Sequence, residues 1–216
     1  MPAEETRPVQ PTHVPPLIPE HACELPLAQL GESKDWAAVY GRSAPLGVEI
    51  GCGGGRTTIG MAIARPDWNF LACERAGEYY RMLLDRAEKR ALPNLRITRT
   101  DATYLLARFF PSASVNEFHI YFPDPWPKKR HHKRRLISEA FCVELRRTLV
   151  PNGVLYFATD HADYYTELLP RVRATLDVRE HPEPWPDAPE GRTNYEIKYL
   201  KQGRPIYRFV GVNRAV

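Results

Sequence analysis

Asp124 stands between two prolines in the run Phe122-Pro-Asp-Pro-Trp-Pro127, and Lys-Lys-Arg-His-His-Lys-Arg-Arg135 follows at once. Proline fixes φ and carries no N–H, so the prolines on either side of Asp124 leave its carboxylate little freedom. A carboxylate held that way suits orienting a polar or cationic reactant more than free proton exchange. The next eight residues are all basic or imidazole. Such a density of positive charge suits phosphates, which position a polyanion without reading its sequence. Trp126, between prolines, either stacks on a base or wedges the loop, and packing is the commoner use of such a tryptophan.

A second constellation lies upstream, in Glu49-Ile-Gly-Cys-Gly-Gly-Gly-Arg56. Gly51, Gly53 and Gly55 form GxGxG, which lets backbone approach a ligand closely. The dinucleotide fingerprint needs glycine at position 56, where this chain has Arg56. Glu74 lies 23 residues after Gly51, at the end of the next apolar run, where a carboxylate can accept from both ribose hydroxyls of a nucleoside. Glu49 precedes the turn and can meet a cationic or amino group, and it would repel a pyrophosphate. Asp101, with Ala102 after it, follows a third short apolar run, at the place expected for an adenine. Three carboxylates around a ribose, an adenine and a positive charge favour S-adenosylmethionine over a nicotinamide dinucleotide. Ordinary turn and capping roles are the competing reading for Glu49, Glu74 and Asp101.

The charge is concentrated. The chain has 30 Lys+Arg against 26 Asp+Glu, a net of +4. Six of the positive residues fall between Lys128 and Arg135, and without them the count is 24 against 26, or −2. One focused basic site on a near-neutral protein suits nucleic acid. The four cysteines, Cys23, Cys52, Cys73 and Cys142, form no CxxC pair and no metal-site spacing with histidine, so no metal is expected. His131 and His132 are adjacent, diverge on a helix and have no third ligand near in sequence. Phosphate or polar contacts suit them better. No span approaches 18 apolar residues and no signal peptide is evident, so a reducing, cytoplasmic setting is expected.

These residues need a scaffold. With 216 residues, 43% hydrophobic, the chain suits one domain with a sizeable core. Residues 1–29 hold seven of the 21 prolines and read as an extended or flexible leader. Residues 30–216 read as the folded domain. Strands are expected at Leu46 to Ile50, Trp68 to Cys73, Leu95 to Thr98, Val115 to Phe122 and Val154 to Ala158. Helices are expected at Arg56 to Ala64, Ala76 to Lys89, Arg134 to Leu149 and Tyr164 to Leu176. Thr193 to Lys201 and Pro205 to Val210 read as closing segments, a candidate antiparallel pair. This alternation predicts an α/β fold with a mostly parallel sheet and helices on both faces. Ligands of such sheets sit beyond the carboxyl ends of strands, where Gly51, Glu74, Asp124 and Asp160 fall.

The stretches VEIGCGGG, ACERAG, Asp101-Ala102, YFPDPWPKKRHHKRR, FATD and TNYEIKYLKQGRPIYRF resemble the bacterial tRNA (guanine-N7-)-methyltransferase family, in order, from about Leu30 to Phe209. The PDPWPKKRHHKRR signature is highly specific; GxGxG is not. The resemblance implies a Rossmann-like class I methyltransferase fold with a seven-stranded sheet. It implies methyl transfer from S-adenosylmethionine to N7 of the guanine at position 46 in the variable loop of tRNA. It implies that Glu49, Gly51, Gly53, Gly55, Glu74, Asp101, Ala102 and Asp124 hold the cofactor. Lys128, Asp160, Thr193, Asn194, Tyr195 and Glu196 are implied on the substrate guanine. Arg130, His131, His132, Lys133, Arg134 and Arg135 match the family's RNA-interacting stretch, and Asp124 its catalytic residue. Cys73 departs mildly, standing where an aliphatic residue is more common. Monomeric and dimeric members both exist, so the oligomeric state stays open. Three rivals also stay open: a small-molecule methyltransferase, a methyltransferase for another RNA guanine, and an RNA-binding relative without catalysis. The intact set Glu49, Glu74, Asp124 and Asp160 argues against the last.

Overall fold

Leu46–Ile50 (β1) and Asn69–Cys73 (β2) are buried at every residue. That is the signature of parallel strands covered on both faces. A computed structural model describes residues 21–30, 35–181 and 193–214. The remaining strands are Leu95–Thr98 (β3), Val115–Tyr121 (β4), Leu149–Thr159 (β5), Asp177–Glu180 (β6) and Tyr207–Val212 (β7). They form one seven-stranded sheet in the order β3-β2-β1-β4-β5-β7-β6. β1 to β5 pair in parallel, and β7 runs antiparallel between β5 and β6.

The helices are Trp36–Tyr40 (α1), Arg56–Ala64 (α2), Gly77–Glu88 (α3), Ala102–Phe109 (α4), Glu139–Thr148 (α5), Ala162–Arg173 (α6) and Asn194–Lys201 (α7). Side chains alternate across a strand, so each face of the sheet gathers its own core. Phe70 and Ala72 of β2 pack with Ile59 and Ala62 of α2 and with Leu83, Leu84 and Ala87 of α3. Leu71 and Cys73 point the other way, into the core shared with α4, α5 and α6. Phe118 and Ile120 of β4 join that second core. Their neighbours Glu117, His119 and Tyr121 therefore face the α2 side, together with Glu49. There His119 stacks on Tyr156 with ring centroids 5.1 Å apart, and Arg65 pairs with Glu117 at 2.8 Å.

Three expectations change. The helical spacing read from Arg134 to Leu149 spans two elements: a 3-10 helix at Lys129–Arg134 and α5, which starts only at Glu139. The Ser138 hydroxyl accepts from the Phe141 N–H at 3.2 Å and caps α5 there. Thr193 to Lys201 is not the strand partner of the last segment. It is α7, started by Thr193, whose hydroxyl accepts from the Glu196 N–H at 3.0 Å, and β7 pairs with β5 and β6 instead. The T-x-x-E spacing signals this start. Finally, residues 21–29 of the expected leader are part of the folded unit. The Leu25 N–H donates to the Ile97 carbonyl at 2.7 Å, and the Ile97 N–H to the Cys23 carbonyl at 2.8 Å. β3 is an edge strand whose open backbone groups this segment satisfies, burying Cys23 and Leu25. Residues 1–20 lie outside the described residues.

Candidate active site

The carboxyl ends of β1 to β4 open on a single cavity of about 790 Å³. Gly51, Glu74, Asp101, Ala102 and Asp124 line it, with Lys133 and Arg134 at its other wall. Of the glycine turn, Gly51 reaches the cavity, and Gly53 and Gly55 shape the turn behind it. Gly51, Gly53 and Gly55 have φ of 72°, 52° and 74°, a region that favours glycine. A Cβ on Gly55 would lie 2.0 Å from Leu83 Cδ1, so no larger residue fits beneath the turn. From α3, Arg86 donates to the Gly54 carbonyl at 2.8 Å and clamps the turn from outside.

Glu74 binds the turn to the next loop. Its carboxylate accepts from the Gly53 N–H at 2.8 Å and from the Ala76 N–H at 2.7 Å. Each oxygen keeps a lone pair for a further donor, the requirement for a pair of ribose hydroxyls. Asp101 is both cavity wall and helix cap. Its Oδ1 accepts from the Thr103 and Tyr104 N–H groups at 2.9 and 3.2 Å, while Oδ2 lies 3.7 Å from Arg75. Glu49 is not on the cavity wall. It is buried behind the turn, where it accepts from the Thr58 hydroxyl of α2. Burial, with the nearby charge of Glu74, pushes its carboxyl up to about 8, against the pull of Thr58. These residues fit a nucleoside: two backbone-oriented carboxylates, Glu74 and Asp101, facing a cavity that Gly51 leaves bare.

Asp124 is exposed at the cavity mouth. The backbone is left-handed on both sides of the Pro-Asp-Pro unit, with φ of 50° at Phe122 and 44° at Trp126. Such values are uncommon for bulky residues and persist only where the surroundings enforce them. Here the surroundings are identifiable. Phe122 packs against Tyr195 and Tyr199 of α7 at 6.2 and 5.6 Å. Trp126 lies between His131, at 5.8 Å, and the Arg134 guanidinium, at 4.9 Å, so it is packed within the loop while still lining the cavity.

The basic run divides by burial. Lys128, Lys129, Arg130, Lys133 and Arg134 are exposed. Arg135 is not, with its side chain 2% exposed. Its Nε donates to the Pro125 carbonyl at 2.8 Å and its Nη1 to Glu167 of α6. The expected phosphate contact of Arg135 is therefore replaced by an internal one. His132 also faces inward, 3.3 Å from Glu167.

The substrate-side residues lie at the end of β5 and on α7. Asp160 follows β5, half-buried, and pairs with Arg204. Thr193 caps α7, and Asn194 and Tyr195 are exposed. Glu196 is buried in an ion pair with Arg208 of β7, which seats α7 on the sheet. Burial, a hydrogen bond with Tyr79 and the nearby charge of Asp124 all raise the Tyr195 hydroxyl. Sequence reasoning missed Thr58, Arg86, Tyr79, Arg204 and Glu167. All are ordinary helix or loop residues by spacing, and only the fold brings them to the site. Among the described residues no group of three or more His, Cys, Asp or Glu side chains could hold a metal, and no helix is long and apolar enough to cross a membrane. The four cysteines are free and buried.

The strand order, the glycine turn after β1 and the acidic end of β2 define a class I methyltransferase fold. Solved structures agree at the level of the fold. The 16S rRNA methyltransferase KamB superposes with a TM-score of 0.62 at 16% identity, over 82% of this chain and 92% of its own. A 16S rRNA (adenine(1408)-N(1))-methyltransferase from Catenulisporales acidiphilia, solved with cosubstrate SAM, gives 0.58 at 18% identity, over 83% and 90%. A family described as "Putative methyltransferase" matches residues 43–209. The tRNA (guanine-N(7)-)-methyltransferase of Nitrosomonas europaea is 43% identical over 88% of this chain and 84% of its own. That of Bordetella pertussis is 40% identical over 80% and 69%, and that of Geobacter metallireducens 36% over 83% and 87%. The chain belongs to the tRNA (guanine-N(7)-)-methyltransferase family.

Proposed function

We propose that this chain transfers a methyl group to N7 of a guanine in tRNA, at position 46 of the variable loop, with S-adenosylmethionine as donor. The observation that carries the reading is the adjacency at Asp124. One loop presents that carboxylate to a cavity walled by Gly51, Glu74 and Asp101 and continues directly into five exposed cations. A small-molecule methyltransferase has no use for the second half of that loop.

When bound, S-adenosylmethionine supplies an electrophilic methyl group on a positively charged sulfur. Glu74 holds the ribose end, and Asp101 and Ala102 the adenine end. Gly51, at the head of the glycine turn, keeps that wall of the cavity bare. Guanine N7 has a lone pair and no proton, so no general base is needed. The task of the chain is alignment and electrostatic preference, which contribute several kcal/mol when reactants are well positioned, up to roughly 7–11. Asp124 orients the reacting groups and favours positive charge arriving on the base. Asp160, Lys128 and the start of α7, Thr193 to Tyr195, meet the guanine, while Glu196 is held inward by Arg208. Asp160 accepts from guanine N1–H and N2–H, a donor pair that adenine lacks on that edge. Lys128, Lys129, Arg130, Lys133 and Arg134 meet RNA phosphates. Methyl transfer to unmodified tRNA, followed by mapping of the product base, tests the reading. A product at any position other than guanine N7 overturns it.

A further inference from the structure

Glu167 stands on α6, outside every motif that the chemistry uses, yet two guanidiniums and an imidazole converge on it. The Arg135 guanidinium donates to it, Arg171 pairs with it at 2.9 Å, and His132 Nδ1 lies 3.3 Å away. Burial works against its charge, but Arg171, Arg135 and His132 more than offset that and hold its carboxyl below the ordinary range. Arg135 is the informative partner. Its Nε reaches the Pro125 carbonyl, one residue after Asp124, and its guanidinium lies over the Tyr164 ring at 4.9 Å. The loop bearing Asp124 thus has two left-handed residues, at 122 and 126, and between them one carbonyl tied through Arg135 to a carboxylate on a different helix. The guanidinium fork allows this, since Nε and Nη1 serve two acceptors at fixed angles, which an ammonium cannot copy.

We propose that Glu167, acting through Arg135, is a positioning residue for Asp124, and that the basic run has two functions. Its exposed members bind RNA, while Arg135 and His132 fix the catalytic loop to α6. This rests on the methyl-transfer reading above, because Asp124 is the residue positioned.

The test uses the full chain, with unmodified tRNA and S-adenosylmethionine as probes, and compares Glu167→Gln, Glu167→Asp, Arg135→Lys and the double variant Glu167→Gln/Arg135→Lys. Two quantities are read: kcat and KM for tRNA, and amide hydrogen exchange over residues 122–135. Misplacement of a positioned group by about 1 Å can cost about 100-fold. The expected result is a fall in kcat of about 10- to 100-fold in Glu167→Gln, with KM for tRNA within about threefold. Exchange in 122–135 should quicken, Glu167→Asp should recover part of the loss, and the double variant should be no worse than the poorer single one. Arg135→Lys keeps the charge, so a phosphate role for Arg135 predicts little change in kcat, whereas the positioning role predicts a loss like that of Glu167→Gln. Unchanged kcat and exchange in Glu167→Gln and Arg135→Lys overturn the proposal, as does a rise confined to KM. Should Glu167→Gln fail to fold, Glu167→Asp and Arg135→Lys decide by the same criteria. If the wild type methylates no tRNA guanine, the functional reading falls while the exchange data still decide whether Glu167 holds the loop.

Discussion

At Asp124 two prolines and two left-handed residues hold a carboxylate that the loop cannot easily withdraw. Asp124→Asn keeps the shape and removes the charge. It is expected to lower kcat by about 100-fold or more while changing tRNA affinity little, as single-turnover rates and filter-binding assays will show. An equal fall in both sinks the assignment. Glu49 gives a different prediction, because burial raises its carboxyl from 4.5 to about 8. Its unfolded counterpart ionises near the ordinary value, so the unfolded state binds fewer protons between about pH 4.5 and 8. The stability that Glu49 contributes is therefore full below about 4.5 and is lost as pH rises through about 8. Glu49→Gln should flatten this profile and raise the thermal midpoint of the ligand-free protein at about pH 8.5, as calorimetry across that pH range will show.

Among the elements, the turn between β1 and α2 is the least tolerant of change. Gly55→Ala combines a left-handed φ of 74° with a Cβ 2.0 Å from Leu83. Strain and overpacking together should cost about 2–5 kcal/mol in urea unfolding. At Gly51 a Cβ meets nothing within 4 Å, so Gly51→Ala should cost only the left-handed penalty, about 1–2 kcal/mol, and act mainly on donor binding. Much of this scaffold was legible in the sequence. Apolar runs ending in Gly51, Glu74 and Asp124 marked strands whose carboxyl ends form a site, because fully buried parallel strands leave a continuous apolar trace. The start of α5 was obscured, because Ile137 keeps the helical spacing of Phe141 and Leu145 while belonging to the turn before Ser138. α7 was obscured because Tyr195, Ile197 and Tyr199 alternate like a strand, and only the cap by Thr193 decides otherwise. Arg135 was misjudged since composition counts charge and not burial: its neighbours face water, and it faces Glu167.

For the whole molecule, the balance of charge sets how RNA is captured. Five exposed cations lie on one loop. If all five meet phosphates, the log–log dependence of tRNA affinity on salt should have a slope of roughly −3.5 to −4.5. The variant Lys133→Ala/Arg134→Ala should reduce that slope by roughly 1.5. A slope near zero in the wild type would remove the phosphate role. The position of β7 carries a consequence for how the molecule is made. β7 arrives after β6 along the chain yet lies inside it in the sheet, between β5 and β6. The ribosome therefore releases the donor-binding walls, from β1 to β4, well before the piece that seats α7. During synthesis β6 has no neighbour to join until residues 207–212 emerge. A nascent chain is thus expected to bind the methyl donor before it acquires base recognition.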